Sequence, residues 1–140
     1  MRMKTILMAF LALSCLLPSA CGIGTYGPAD VDSRQFQDVV VPAGFRLRDV
    51  AHESFSREEA TWRYGRFVYA GSTKIDDASA YVQRRMPQHS WSMVREDVGE
   101  EDDDVRLRFE RGIYSADYHF TRQDGTTHMV VDYSTDYSRR

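Results

Sequence analysis

Apolar positions along the 140-residue chain follow two regimes. Ile6 to Leu17 is a nearly unbroken apolar run, preceded by Arg2 and Lys4 and followed by the small residues Ser19 and Ala20. After Cys21 the apolar residues instead come in short alternating stretches, with one stripe at spacings of three and four. That stripe is Ile75, Ala78, Val82 and Met86, and it predicts a helix lying with one face on a sheet. Asp76 and Asp77 stand in its first turn, Arg84 and Arg85 in its last, and Pro87 stops it. Thr73, three residues before Asp76, has the spacing of a capping box.

The alternating stretches predict strands. Val39-Val40-Val41 reads as a short strand, stopped by a turn at Pro42-Ala43-Gly44. Phe45 to Phe55 and Trp62 to Ala70 read as two strands joined by the polar Ser56-Arg57-Glu58-Glu59. Ser90 to Asp97, Val105 to Glu110, Ile113 to Arg122 and Thr127 to Tyr133 form an expected four-stranded meander after the helix. A two-residue loop at Arg111-Gly112 pairs Phe109 with Tyr114, Leu107 with Ala116 and Val105 with Tyr118. A second loop at Asp124-Gly125, the stronger hairpin signal, pairs Phe120 with Met129, Tyr118 with Val131 and Ala116 with Tyr133. Both place the same residues inward, so the expected fold is α+β: an antiparallel sheet of about six strands, order ββαββββ, with the helix packed on one face.

The apolar run at the start, about 12 residues long, is too short to span a bilayer as a helix and fits the hydrophobic region of a signal peptide. The stretch Leu16-Leu17-Pro18-Ser19-Ala20-Cys21 resembles the lipobox of bacterial lipoproteins. Pro18 stands where that family usually carries leucine, with Leu17 one place further out. The resemblance covers the targeting segment alone. It implies removal of residues 1–20, acylation of Cys21 as the first residue of the mature chain, and anchorage in the cell envelope, with Gly22 compatible with an outer membrane facing the periplasm. Cleavage by the ordinary signal peptidase, leaving a secreted chain, is the other reading. Cysteine usage favours lipidation: Cys15 lies in the discarded segment, which leaves Cys21 without a disulfide partner in an oxidising compartment.

Composition then bounds the rest. Residues 21–35 are rich in breakers and read as a tether, leaving 36–140 as a single domain. The first 20 residues carry Arg2 and Lys4 and no acid, so their removal takes the formal charge from −3 to −5. Nothing in that balance favours nucleic acid.

The outer face of the expected meander sets Arg106 opposite Asp117, Asp117 opposite Asp132, Asp104 opposite His119 and Thr121 opposite His128. Asp117, His119, His128 and Asp132 are therefore candidate metal ligands, imidazole and carboxylate being ordinary donors for zinc. An exposed charge ladder relieved by arginine is the competing reading of the same face. The acidic run from Glu96 to Asp104 lacks the spacing of a calcium-binding loop and reads as a solvated hairpin. Ser54, Ser56 and Ser90 are the available hydroxyls, with His89 nearby, but none sits in a nucleophile elbow. Trp62 and Trp91 read as core or core-edge residues. No catalytic residue, phosphate loop or zinc-binding cysteine pair stands out, so no cofactor is expected. The expectation is a membrane-anchored binding or accessory module with an envelope protein as partner, the alternatives being a small envelope enzyme or a metal-binding protein.

Overall fold

The computed structural model describes residues 35–48, 53–99 and 103–139. The expected signal segment, Cys21 and the expected tether up to residue 34 lie outside the described residues. Seven strands and one α-helix follow one another as β1 (Arg46–Leu47), β2 (Phe55–Glu59), β3 (Trp62–Gly71), α1 (Ile75–Arg85), β4 (Ser92–Val98), β5 (Asp104–Arg111), β6 (Tyr114–Gln123) and β7 (Thr126–Thr135). All strand pairs are antiparallel, and the spatial order is β1-β3-β7-β6-β5-β4, with β2 also on β3. The fold is thus α+β. The helix carries the chain from β3 to the far edge of the sheet, and the meander β4 to β7 then returns until β7 closes against β3.

Alternation along the strands makes one face of the sheet apolar. Phe67 and Tyr69 of β3, Val105, Leu107 and Phe109 of β5, Ala116, Tyr118 and Phe120 of β6, and Met129, Val131 and Tyr133 of β7 are all buried there. Ile75, Ala78 and Val82 of the helix cover this face together with Met86 from the 3₁₀ turn that follows. The remainder is covered by residues 36–40. Phe36 packs edge-on against Phe67 and Tyr133, with ring centroids 5.4 and 4.8 Å away. The Tyr118 hydroxyl accepts the Val40 N–H at 3.0 Å and donates to Met86 Sδ at 3.4 Å, joining the N-terminal segment, the sheet and the helix exit at one atom.

Four local expectations are corrected. Residues 39–41 form no strand; Phe36 to Val39 makes a turn closed by Val39 N–H on Phe36 O, which lets this segment lie across the sheet as a plug. The stretch 45–55 is not one strand, because β1 ends at Leu47 and β2 begins at Phe55, both along the same side of β3. Ser54 bridges this interruption by accepting from Val68 N–H and donating to Arg48 O. Lys74, not Thr73, is the helix N-cap, and no side chain caps it. Thr73 serves the junction otherwise: its hydroxyl donates to Ala43 O, and its carbonyl accepts from Thr127 Oγ1 at 2.6 Å and from Arg122.

The fourth correction concerns register. The hairpin β5–β6 turns at Gly112-Ile113, so Arg111 faces Tyr114, Phe109 faces Ala116, Leu107 faces Tyr118 and Val105 faces Phe120. The expected pairing was displaced by two residues. A two-residue slip preserves which side chains point inward, so the hydrophobic pattern is indifferent to it. Gly112, at φ +59, supplies the left-handed backbone that the turn needs. The second hairpin has the expected register throughout. At the sheet's free edge, β4 is exposed along its whole length and bulges at Val94, between the pairs Met93–Phe109 and Arg95–Arg108.

Candidate functional site

Three places bring functional side chains together. The first lies where the N-terminal plug meets the sheet. Asp38 is in the middle of that plug, its side chain only 12% exposed. Its Oδ2 accepts from Arg111 and, at 3.1 Å, from the Tyr133 hydroxyl, while Arg63 stands 3.8 Å from Oδ1. Arg111 also donates to His89 O and stacks over Trp91, its guanidinium carbon 4.7 Å from the ring centroid. Arg63 lies over Phe36 and Tyr114 and donates to Glu58 at 2.7 Å. Planar guanidinium suits both uses, stacking on a ring face while donating in its plane. Burial, reinforced by the charge of Asp38, pushes the Tyr133 hydroxyl up to about 12. Gln35, the last residue of the expected tether, is already fixed here, accepting from the Tyr69 hydroxyl and donating to Val39 O. A cleft of about 590 Å³ opens beside this clamp, lined on the β2–β3 side by Ser56, Glu58 and Arg63. Each guanidinium is committed to a carboxylate, and no imidazole lines the cleft to activate Ser56. The arrangement is a clamp that fixes the chain's entry into the domain.

The second place is the outer face of the meander, where the candidate metal ligands lie. Asp117 does face Asp132 across β6–β7, and His128 faces Thr121, as expected. The corrected register changes the rest. Arg108, not Arg106, faces Asp117 and donates to both its carboxylate oxygens at 3.2 and 3.1 Å. His119 faces Arg106 and reaches diagonally to Asp104, with Nε2 3.1 Å from each oxygen. Asp117 is thus held by Arg108 and His119 by Asp104, while Asp132 stands 3.6 Å from Arg66 and His128 lies further along β7 opposite Thr121. Among the described residues no group of three or more His, Cys, Asp or Glu side chains is arranged to hold a metal ion. Burial raises Asp104, but hydrogen bonds and charge from His119 and Arg106 outweigh it and hold the carboxyl below its ordinary value. Asp132 moves the opposite way: burial, with repulsion from Asp117, raises it against the pull of Arg66. What results is a charge ladder of mutually satisfied groups.

The third place is the outer face of the β2–β3 hairpin. Inward Phe67 and Tyr69 set the parity of β3, so Trp62 and Tyr64 point outward. Pairing sets Glu59 opposite Trp62, Arg57 opposite Tyr64 and Phe55 opposite Arg66. Trp62 and Tyr64 stack with centroids 6.1 Å apart and an angle of 22°, and Phe55 tilts against Tyr64 at 5.4 Å. Together with Arg57 they line a shallow hollow of about 420 Å³, and Tyr64 is 45% exposed. Trp62 is half-buried at the edge of the sheet, whereas Trp91 is in the core.

Neither the clamp nor the hollow was legible as a site. The hairpin was the one available signal for the hollow: a two-residue turn at Ala60-Thr61 puts Trp62, Tyr64 and Phe55 on one face, but Ser56 to Glu59 reads as a polar connection. Of the hydroxyls singled out, Ser54 bridges the broken edge, Ser56 lines the cleft, and Ser90 occupies an exposed left-handed turn at φ +64. No family model, curated protein or solved structure matches this chain.

Proposed function

We propose that the chain is a cell-envelope lipoprotein, anchored to a membrane through acylated Cys21, whose domain works as a non-catalytic binding or accessory module. The observation that carries the binding role is the aromatic hollow of Phe55, Trp62 and Tyr64. Tyr64 is exposed on a paired hairpin with Phe55 and Trp62 half-buried against it, while Arg108 and Asp117, His119 and Asp104, and Arg111 and Asp38 are engaged with one another. Exposed aromatic groups held rigidly are what recognition surfaces use, because they cover apolar area at small entropic cost. The anchor rests on the sequence alone, on the run from Arg2 to Cys21.

Two measurements test the reading. Mass spectrometry of the native chain is expected to find acyl groups on Cys21, and envelope fractionation is expected to release Cys21→Ala into the soluble fraction. Unchanged membrane association of that variant would overturn the anchor. For the binding role, a photocrosslinking residue at position 64 is expected to capture one specific envelope component, lipid or protein. Random labelling equal to that from an exposed site on β4 would remove the hollow from the proposal.

A further inference from the structure

We infer that the aromatic hollow of Phe55, Arg57, Trp62 and Tyr64 rests on the surface of the lipid bilayer to which the chain is tethered. The inference rests on the anchored reading above and names the occupant of the same surface. Three observations lead to it.

The first is where the chain leaves the domain. Gln35 and Phe36 line the cleft on the inner side of the β2–β3 hairpin, together with Ser56, Glu58 and Arg63. Ser56 lies between Phe55 and Arg57 in the chain, and Arg63 between Trp62 and Tyr64, so the hollow is the opposite side of the same two strands. The exit and the hollow are separated by the thickness of the hairpin. Between Cys21 and Gln35 run the thirteen residues 22–34. A flexible chain of that length has a typical span of about 20 Å, less than the diameter of a domain whose radius of gyration is about 13 Å. A flexible tether of that length, starting from Gln35, would hold the hairpin end of the sheet toward the membrane.

The second is the chemistry of the lining. Tryptophan and tyrosine are the residues that settle at the level of lipid headgroups, their rings in the acyl boundary and their polar edges in water. Arg57 opposite Tyr64 can bury its stem and present its guanidinium to a lipid phosphate.

The third is scale. The hollow is small, and its rings are partly buried already, so it would bind free vesicles weakly. Tethering raises the local lipid concentration enormously, so that weak contact suffices to orient the domain.

Tryptophan quenching tests this on the chain from Cys21 to Arg140, which retains every described residue. Coupling the Cys21 thiol to a maleimide lipid in phosphatidylcholine vesicles imposes the anchor chemically. Trp91 is buried under Arg111 and serves as the internal control. Vesicles brominated near the glycerol end of the acyl chains are expected to remove the Trp62 share of the emission, relative to unbrominated vesicles. The loss should vanish in Trp62→Phe and shrink in Tyr64→Ser. Equal emission in the two kinds of vesicle, or a loss that persists undiminished in Trp62→Phe, would overturn the inference. So would capture of a single protein at position 64 in native membranes with no bromine quenching. Because the coupling is chemical, quenching in vesicles with no acyl group on the native chain would sink the anchor alone. Acylated Cys21 without quenching would sink the membrane contact alone.

Discussion

Replacing Asp38 by alanine removes the acceptor on which Arg111 and Tyr133 converge, and leaves both donors without it in a place where water has little access. Breaking one partner out of a buried pair costs about 3–5 kcal/mol, mostly through the group left behind. Arg111 keeps its bond to His89 O, its ring stacking on Trp91 and a side chain 29% exposed, so hydration recovers part of the loss. The lower end, about 3 kcal/mol, is the expected cost. A domain of this size is stable by about 5–15 kcal/mol, so the loss is a large fraction of the total. It corresponds to a fall in Tm of about 12–24 °C. Asp38→Asn keeps one acceptor and loses the charge, and its fall should be about half as large.

Circular dichroism melting curves of the wild type, Asp38→Asn and Asp38→Ala provide the measurement. Amide exchange at Val39 and Val40 supplies a local readout, since Val40 N–H is held by the Tyr118 hydroxyl while the plug is seated. Both amides should exchange faster in Asp38→Ala before the rest of the sheet opens. A fall of less than about 4 °C with unchanged exchange would show that the Asp38–Arg111 pair behaves as a screened surface contact, and that the plug is seated by its other contacts.

Two further outcomes follow from titrating groups. Tyr69, Tyr118 and Tyr133 are all raised above the ordinary phenol value of about 10, chiefly by burial. Above that value the unfolded chain releases three protons that the folded chain retains, so stability present below it is lost as pH climbs. At about pH 11 the loss is about 4 kcal/mol for the three together, and ionisation seen by tyrosinate absorbance should coincide with collapse of the dichroism signal. Ionisation of these three with the fold intact would contradict their burial. Asp104, held below its ordinary value, contributes stability that is present above the unfolded carboxylate value and lost as pH falls through the folded one. His119→Ala should move the Asp104 carboxyl back up, as read from its side-chain carbon shift by nuclear magnetic resonance; an unmoved titration would assign the effect to Arg106.

The parts of the fold legible in the sequence are those encoded locally. The stripe Ile75, Ala78, Val82 and Met86 and the turn Asp124-Gly125 are statements about neighbours, and both match the structure. Pattern alone does not distinguish the two registers of β5 on β6, because both bury Phe109, Leu107 and Val105. In the observed one Arg111 stands beside Tyr114 and reaches Asp38, 73 residues earlier in the chain. Likewise, the pairing of β3 with β7, Gly65 with Tyr133 through Gly71 with Thr127, joins segments that no turn connects. The clamp unites residues 38, 63, 111 and 133, each ordinary in its own neighbourhood. The hollow was hidden for a different reason: in Phe55–Glu59 only the first residue is apolar, and a strand whose outer face carries Phe, Arg and Glu has no period to detect. For the metal candidates, one slip of two residues moved Arg108 onto Asp117 and turned the expected direct pairing of Asp104 with His119 into a diagonal contact.

The bulge at Val94 bears on how closely copies of the chain can be packed. Anchored chains diffuse in two dimensions, at high local concentration and with a common orientation, which is the geometry in which exposed strand edges meet and polymerise. The sheet offers neighbours two flanks. On one, β1 and β2 are short and separated by a gap bridged by Ser54. On the other, the bulge breaks the row of backbone donors and acceptors, and Arg95, Glu96 and Asp97 would each have to find a matching charge. Interruption and charge are two of the means by which sheets resist edge-to-edge growth. Neither flank of the described sheet therefore offers a second copy a continuous strand edge to pair with, however densely copies are packed.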